Sequence, residues 1–121
     1  MNLKSKDIRQ LYFWKRGINS IEEIHKMSIS FIDKEAIIKK DAKEEKRLTK
    51  DQIDAFLTQL SPYLEKNEEY RAFRYENDPQ QVTIKFYLEI DFVNHCYFAI
   101  KGIHPFKQPY FKEILNLFSN L

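Results

Sequence analysis

The stretch from Val82 to Ile100, VTIKFYLEIDFVNHCYFAI, decides the fold. Val82, Ile84, Phe86, Leu88 and Ile90 alternate with Thr83, Lys85, Tyr87 and Glu89. A period of two puts the first set on one buried face and turns the second toward water. Asp91 to Asn94 then reverses the chain, and Cys96, Phe98 and Ile100 alternate with Tyr97, Ala99 and Lys101. Gly102 and Pro105 end this second strand, since each is poorly suited to a sheet interior. The stretch therefore predicts an antiparallel hairpin with one apolar face to cover.

The covers are visible on both sides of it. Thr49-Lys50-Asp51-Gln52 matches a capping box, in which the Thr hydroxyl takes one orphan amide and the Gln side chain returns to another. Behind it Ile53, Phe56, Leu57, Leu60 and Leu64 recur at helical spacing, predicting a helix over 50–66, with Ser61-Pro62 as a place for a kink or an early stop. Near Gln108-Pro109 a last helix begins and carries Phe111, Ile114, Leu115 and Phe118 on one face.

Further strands are expected upstream. Met27, Ile29 and Phe31 alternate with Ser28, Ser30 and Ile32, and 34–40 (KEAIIKK) is a hairpin partner for them. EYRAFRY at 69–75 is aromatic enough for another strand, with Asn77-Asp78-Pro79 as the following turn. SKDIRQLYFWKR at 5–16 starts at a Ser N-cap, stops at Gly17 and places Ile8, Leu11, Tyr12 and Lys15 on one helical face, so it reads as a short helix. The run from Lys39 to Leu48 has no apolar stripe and reads as a solvated connection. The sum is an α+β domain: an antiparallel sheet of about four to five strands with two or three amphipathic helices packed on it in two layers.

Composition bounds the rest. The chain has 121 residues, the length of one domain spanning 1–121, with 43% hydrophobic and 31% charged residues. Twenty Lys and Arg against eighteen Asp and Glu leave a net +2, far from the balance of a dedicated nucleic-acid binder. A single Cys excludes an internal disulfide, and MNLKSKDIRQ at the start is charged where a secretory signal is apolar, so a cytoplasmic location is expected and no membrane association. The only glycines, Gly17 and Gly102, are 85 positions apart, which excludes a glycine-rich phosphate loop. The abundance of Lys, Ile, Asn and Phe is compatible with an AT-rich bacterial or phage genome.

Chemistry-bearing residues are few. His95 and Cys96 are adjacent, so on a strand their side chains diverge and cannot act as nucleophile and base, and Cys96 is expected to pack in register with Phe98 and Ile100. His95, His104 and Cys96 lack a second Cys pair or a histidine repeat at zinc spacing, so neither a metal nor another cofactor is expected. The adjacent pairs Glu22-Glu23, Glu44-Glu45 and Glu68-Glu69 lie in charged segments and show no convergence on a cleft. His25 stands alone.

Basic and aromatic residues carry the remaining signal. Lys4, Lys6, Arg9, Lys15 and Arg16 surround Trp14. Arg71-Ala72-Phe73-Arg74-Tyr75 resembles the RNA-stacking strand of an RRM, but that family needs a helix between its third and fourth strands, where this chain has strands in succession. The resulting expectation is a non-enzymatic protein that binds another macromolecule through a sheet face or edge, as small immunity or inhibitor proteins of bacteria and phages do. Its anchors would be Trp14, Arg9, Arg16, Arg71, Arg74 and Tyr87, because aromatic and Arg side chains dominate interface energetics. The partner is expected to be a protein, a homodimer through an edge strand is a further option, and a nucleic-acid accessory role is the alternative.

Overall fold

The computed structural model describes residues 2–16, 24–32, 35–41, 43–71, 86–102 and 108–121. Among them six strands form one antiparallel sheet: β1 (Ile8–Arg16), β2 (Ile24–Ile32), β3 (Glu35–Lys40), β4 (Lys43–Thr49), β5 (Phe86–Phe92) and β6 (Tyr97–Gly102). Their spatial order is β4-β3-β2-β1-β5-β6. The first four strands run as a meander from β1 out to the β4 edge. Helix α1 (Lys50–Glu65) follows β4, and β5 then pairs with the far side of β1. Helix α2 (Phe111–Ser119) closes the order, and short 3-10 turns stand at Ser5–Asp7 and Glu68–Tyr70. The class is α+β as expected, with six strands and two α-helices.

Several segments differ from their expected state, two of them outright. Residues 8–16 are the strand β1, not a helix, and only Ser5–Asp7 coils. The strand lies between β2 and β5, so Leu11 and Phe13 are buried on one face and Trp14 on the other. Burial on both faces erases the period-two signal and leaves spacings that also fit a helix. The second segment is Lys43–Thr49, expected as a connection, which is the edge strand β4 with only Leu48 buried. Backbone pairing to β3 orders it while its charged side chains stay in water.

The helix-facing side of the sheet follows from the register. Ile38, Ile29, Leu11, Ile90 and Phe98 form one cross-strand row, and Met27, Phe13, Leu88 and Ile100 form the next. These residues share a single buried cluster with Ile53, Phe56, Leu57, Leu60 and Leu64 of α1 and with Ile114 and Phe118 of α2. Phe118 is the junction: its ring stacks on Phe13 at 4.2 Å and meets Phe56 edge-on at 5.2 Å. The capping box of α1 forms in full, with Gln52 N donating to Thr49 Oγ1 and Thr49 N donating to Gln52 Oε1. Pro62 lies inside α1, which continues to Glu65 rather than stopping early. Beyond it the buried Asn67 donates its side-chain amide to Tyr63 O and Pro109 O, both at 2.8 Å, tying the end of α1 to the entry of α2.

β5 also departs from the expected one-sided pattern, because Tyr87, Glu89 and Asp91 are buried along with Phe86, Leu88 and Ile90. The strand expected at 69–75 is a 3-10 turn at Glu68–Tyr70 followed by one bridge from Arg71 to Ile100, and 72–75 lie outside the described residues, as does 82–85. The hairpin turn falls later than Asp91, with His95 N donating to Phe92 O and Phe92 N to Cys96 O.

The β4 edge is guarded, and the β6 edge carries one bridge. On β4 the register slips between Ile38 and Lys39, leaving Glu45 as an unpaired bulge within a run of charges, and bulges and charges both disfavour a further strand. On β6 the Arg71 bridge lies against Ile100.

Two expectations follow from these contacts. A Cβ on Gly102 would come within 2.2 Å of Gln108 Nε2, which donates to Lys101 O at 2.9 Å. Gly102→Ala should therefore cost about 1–3 kcal/mol by displacing a buried amide, and less in a Gln108→Ala background, as a urea-denaturation double-mutant cycle would read. On β4, the hydrogen bond from Arg47 holds the exposed Glu44 carboxyl below the usual carboxylate range. A carboxyl with a depressed folded-state pKa stabilises above its unfolded value and loses that effect as pH falls through the folded one. Amide exchange along β4, corrected for the intrinsic rate, should accelerate at acid pH before that of β1.

Candidate functional site

The residues expected to bind are placed unequally. Trp14 and Tyr87 are cross-strand partners on β1 and β5, and their rings stack at 6.0 Å on the face away from the helices. Both are buried, at 6% and 2% exposure, in a small cluster with Ala99, and Tyr97 packs against it. They are core residues of that face rather than free surface anchors. The reason is the same two-sided burial that disguised β1.

Beside them is a pair of acids that the sequence reading passed over. Tyr87, Glu89 and Asp91 share one face of β5 by alternation, and all three are buried. The Tyr87 hydroxyl donates to Glu89 Oε1 at 2.6 Å. Arg9 Nη2 donates to Asp91 Oδ2 at 3.4 Å. Arg9 is the extra residue of a β1 bulge, since Ile8 pairs with Phe92 and Gln10 with Asp91, and a bulge re-aims the side chain it carries. The available signal was the spacing of two carboxylates at i and i+2 on a strand otherwise rich in large apolar residues.

The other expected anchors do not join this group. Arg71 is exposed at the β6 edge, bonded to Glu68 at 3.1 Å, with its guanidinium 5.2 Å from the Phe98 ring centre. Arg16 is the last residue of β1, and Arg74 lies outside the described residues, as does His104. Cys96 is exposed, not buried in register with Phe98, because it precedes β6 and its amide is turned onto Asn94 Oδ1 at 3.0 Å. His95 is exposed beside it with φ 70°, in the left-handed region that non-glycine residues seldom adopt. The strand geometry used to separate His95 from Cys96 therefore does not apply, since both lie in the turn. Among the described residues no three His, Cys, Asp or Glu side chains gather closely enough to hold an ion.

A different place has the form of a binding site. Where the core rows run out beneath the end of α2, a cleft of about 390 Å³ opens between Phe13, Met27, Leu115 and Phe118 below and Lys15, Lys26, Lys40 and Asp41 around its mouth. Register explains the arrangement: Lys40 continues the row of Met27 and Phe13, and Lys15 continues that of Phe86. Apolar side chains thus give way to long amphipathic ones on the same face, whose stems can lie on the rings while the ammonium groups reach water. Asp41, at φ 52° in the β3–β4 turn, donates its amide to Lys26 O and accepts from Lys26 N at 3.3 Å through Oδ1. Among the described residues none of the three lysine ammonium groups forms an ion pair. The cleft is an apolar floor under a net positive rim.

Compared with protein-family models, with curated proteins and with solved structures, the chain matches none. The site therefore rests on its own geometry.

Because Trp14 is buried, Trp14→Ala should lower unfolding stability by about 3–5 kcal/mol, the range for deleting a buried aromatic, in chemical denaturation. A stability change under about 0.5 kcal/mol would instead mark it as a surface ring.

Proposed function

We propose that the chain is a non-catalytic binding module for another protein, in the manner of a small immunity or inhibitor protein, acting in the cytoplasm. The cleft carries the reading. It joins apolar surface to the cations Lys15 and Lys40, the combination that lets a protein partner gain both orientation and a modest amount of buried area. Among the described residues no helix is long and apolar enough to cross a membrane.

The placement of the aromatic rings favours a protein over a nucleic acid. A single-strand binder needs exposed rings on which bases stack along a basic groove. Trp14, a ring expected to serve so, is already packed against Tyr87, while Phe73 and Tyr75 lie outside the described residues. Asp41 at the rim also opposes a phosphate backbone. The charged and bulged β4 edge argues against strand addition there, which leaves side-chain contacts in the cleft as the route of recognition.

Pull-down from the native host should recover a partner with the wild-type chain and lose it with a folded Lys15→Glu/Lys40→Glu variant. Capture that survives this double reversal unchanged would overturn the reading. A nucleic-acid partner would declare itself through a steep fall of affinity with salt, close to one unit of log slope per phosphate contact.

A further inference from the structure

We propose that the cleft takes a short extended peptide segment of its partner in which an aromatic or branched aliphatic side chain is flanked by carboxylates. The inference rests on the protein-binding reading and names what that site recognises. Charge is the first ground. Lys15 and Lys40 face one acid, Asp41, whose Oδ1 accepts from the backbone amide of Lys26, a residue paired with Trp14 on the opposite sheet face. A guest carrying carboxylates completes the rim, whereas a cationic guest meets the Lys15 and Lys40 ammonium groups.

The floor is the second ground. Phe13, Met27 and Phe118 are buried by their own packing and Leu115 is half-buried, so they offer edges rather than a broad apolar face. One inserted side chain can cover those edges. The face of an amphipathic helix would find too little apolar area, and an acyl chain needs a pocket that encloses most of its surface. Size is the third ground. About 390 Å³ lies near the lower end of ligand-site volumes, room for a side chain and its neighbours.

The C-terminal end of α2 sits at the same place, since Ser119 lines the cleft. Its carbonyl dipoles favour nearby cations and account for lysines held there without carboxylate partners. That structural role predicts a change in stability on substitution but none in ligand preference, which separates it from recognition.

The test uses the full chain and a short fluorescent peptide with a central phenylalanine between glutamate pairs, followed by anisotropy at low and moderate salt. Comparison ligands are the same peptide with glycine for phenylalanine, the peptide with lysines for glutamates, decanoate, and a short oligothymidylate. The acidic aromatic peptide should bind with a Kd on the order of micromolar and tighter than every comparison ligand. Lys15→Glu and Lys40→Glu should each weaken it roughly three- to tenfold, as reversal of an exposed pair implies, and Lys46→Glu on β4 should leave it unchanged.

In the wild-type chain the Met27 methyl and Leu115 methyl resonances should shift on titration, a readout that needs no variant to fold. Absence of binding, equal binding of the lysine peptide, shifts that spare Met27 and Leu115, or tighter binding of decanoate or oligothymidylate would each overturn the proposal. If the peptide fails while capture of the host partner still depends on Lys15 and Lys40, this inference falls and the broader reading stands. If that dependence is also absent, both fall.

Discussion

The sheet depends on one strand having two partners. β1 pairs with β2, which follows it closely in sequence, and with β5, which returns after α1 and pairs Tyr12 with Glu89. Closing such a long loop is entropically unfavourable, and the hydrogen bonds of one ladder contribute little net stability each. What makes β1 hold both neighbours is burial on both sides: Leu11 and Phe13 under the helices, Trp14 against Tyr87 on the opposite face. A strand with only one apolar face would serve as the end of the meander. This one joins the meander to the hairpin.

The same property decides what the sequence disclosed. α1 announced itself through a capping box and an unbroken apolar stripe, because it begins with a specific local hydrogen-bond pattern and buries one side, and the hairpin of β5 and β6 through the alternation of its aliphatic residues, although both of its faces are buried. In IRQLYFWKR, by contrast, large side chains occupy both phases of the strand, so neither period is visible and the matches at Ile8, Leu11, Tyr12 and Lys15 favoured a helix. β4 failed from the opposite cause. Its ordering comes from backbone pairing to β3, to which composition is blind, and KEEKRLT is as polar as any loop. Period-two reading also assigned Tyr87 and Glu89 to solvent, when β5 has a second buried face.

Candidate sites were harder still to read. Trp14 and Tyr87 stand out in the sequence as separate candidate anchors with nothing to relate them; they are cross-strand neighbours, and their proximity is packing. The cleft joins Lys15 of β1, Lys26 and Met27 of β2, Lys40 of β3 and Leu115 and Phe118 of α2. No local spacing relates these positions. They meet because antiparallel register brings Lys15, Lys26 and Lys40 to one end of the sheet and because Phe118 anchors α2 above that end through Phe13.

That anchoring has a consequence for how recognition and stability are connected. The parallel contact between Phe13 and Phe118 is at once the central joint of the core and the floor of the cleft, with Phe56 bracing it from α1. The floor therefore moves little, since shifting either ring disturbs both helices and the central strand. Adaptation to a guest falls instead to the lysine stems, which have many rotamers and no carboxylate holding them among the described residues. On the proposed reading, a packed apolar base under a charged rim would select guests by charge before shape. On the same reading two classes of substitution would separate: changes at the rim would alter affinity while the fold persists, and changes at Phe13 or Phe118 would act by loosening the fold.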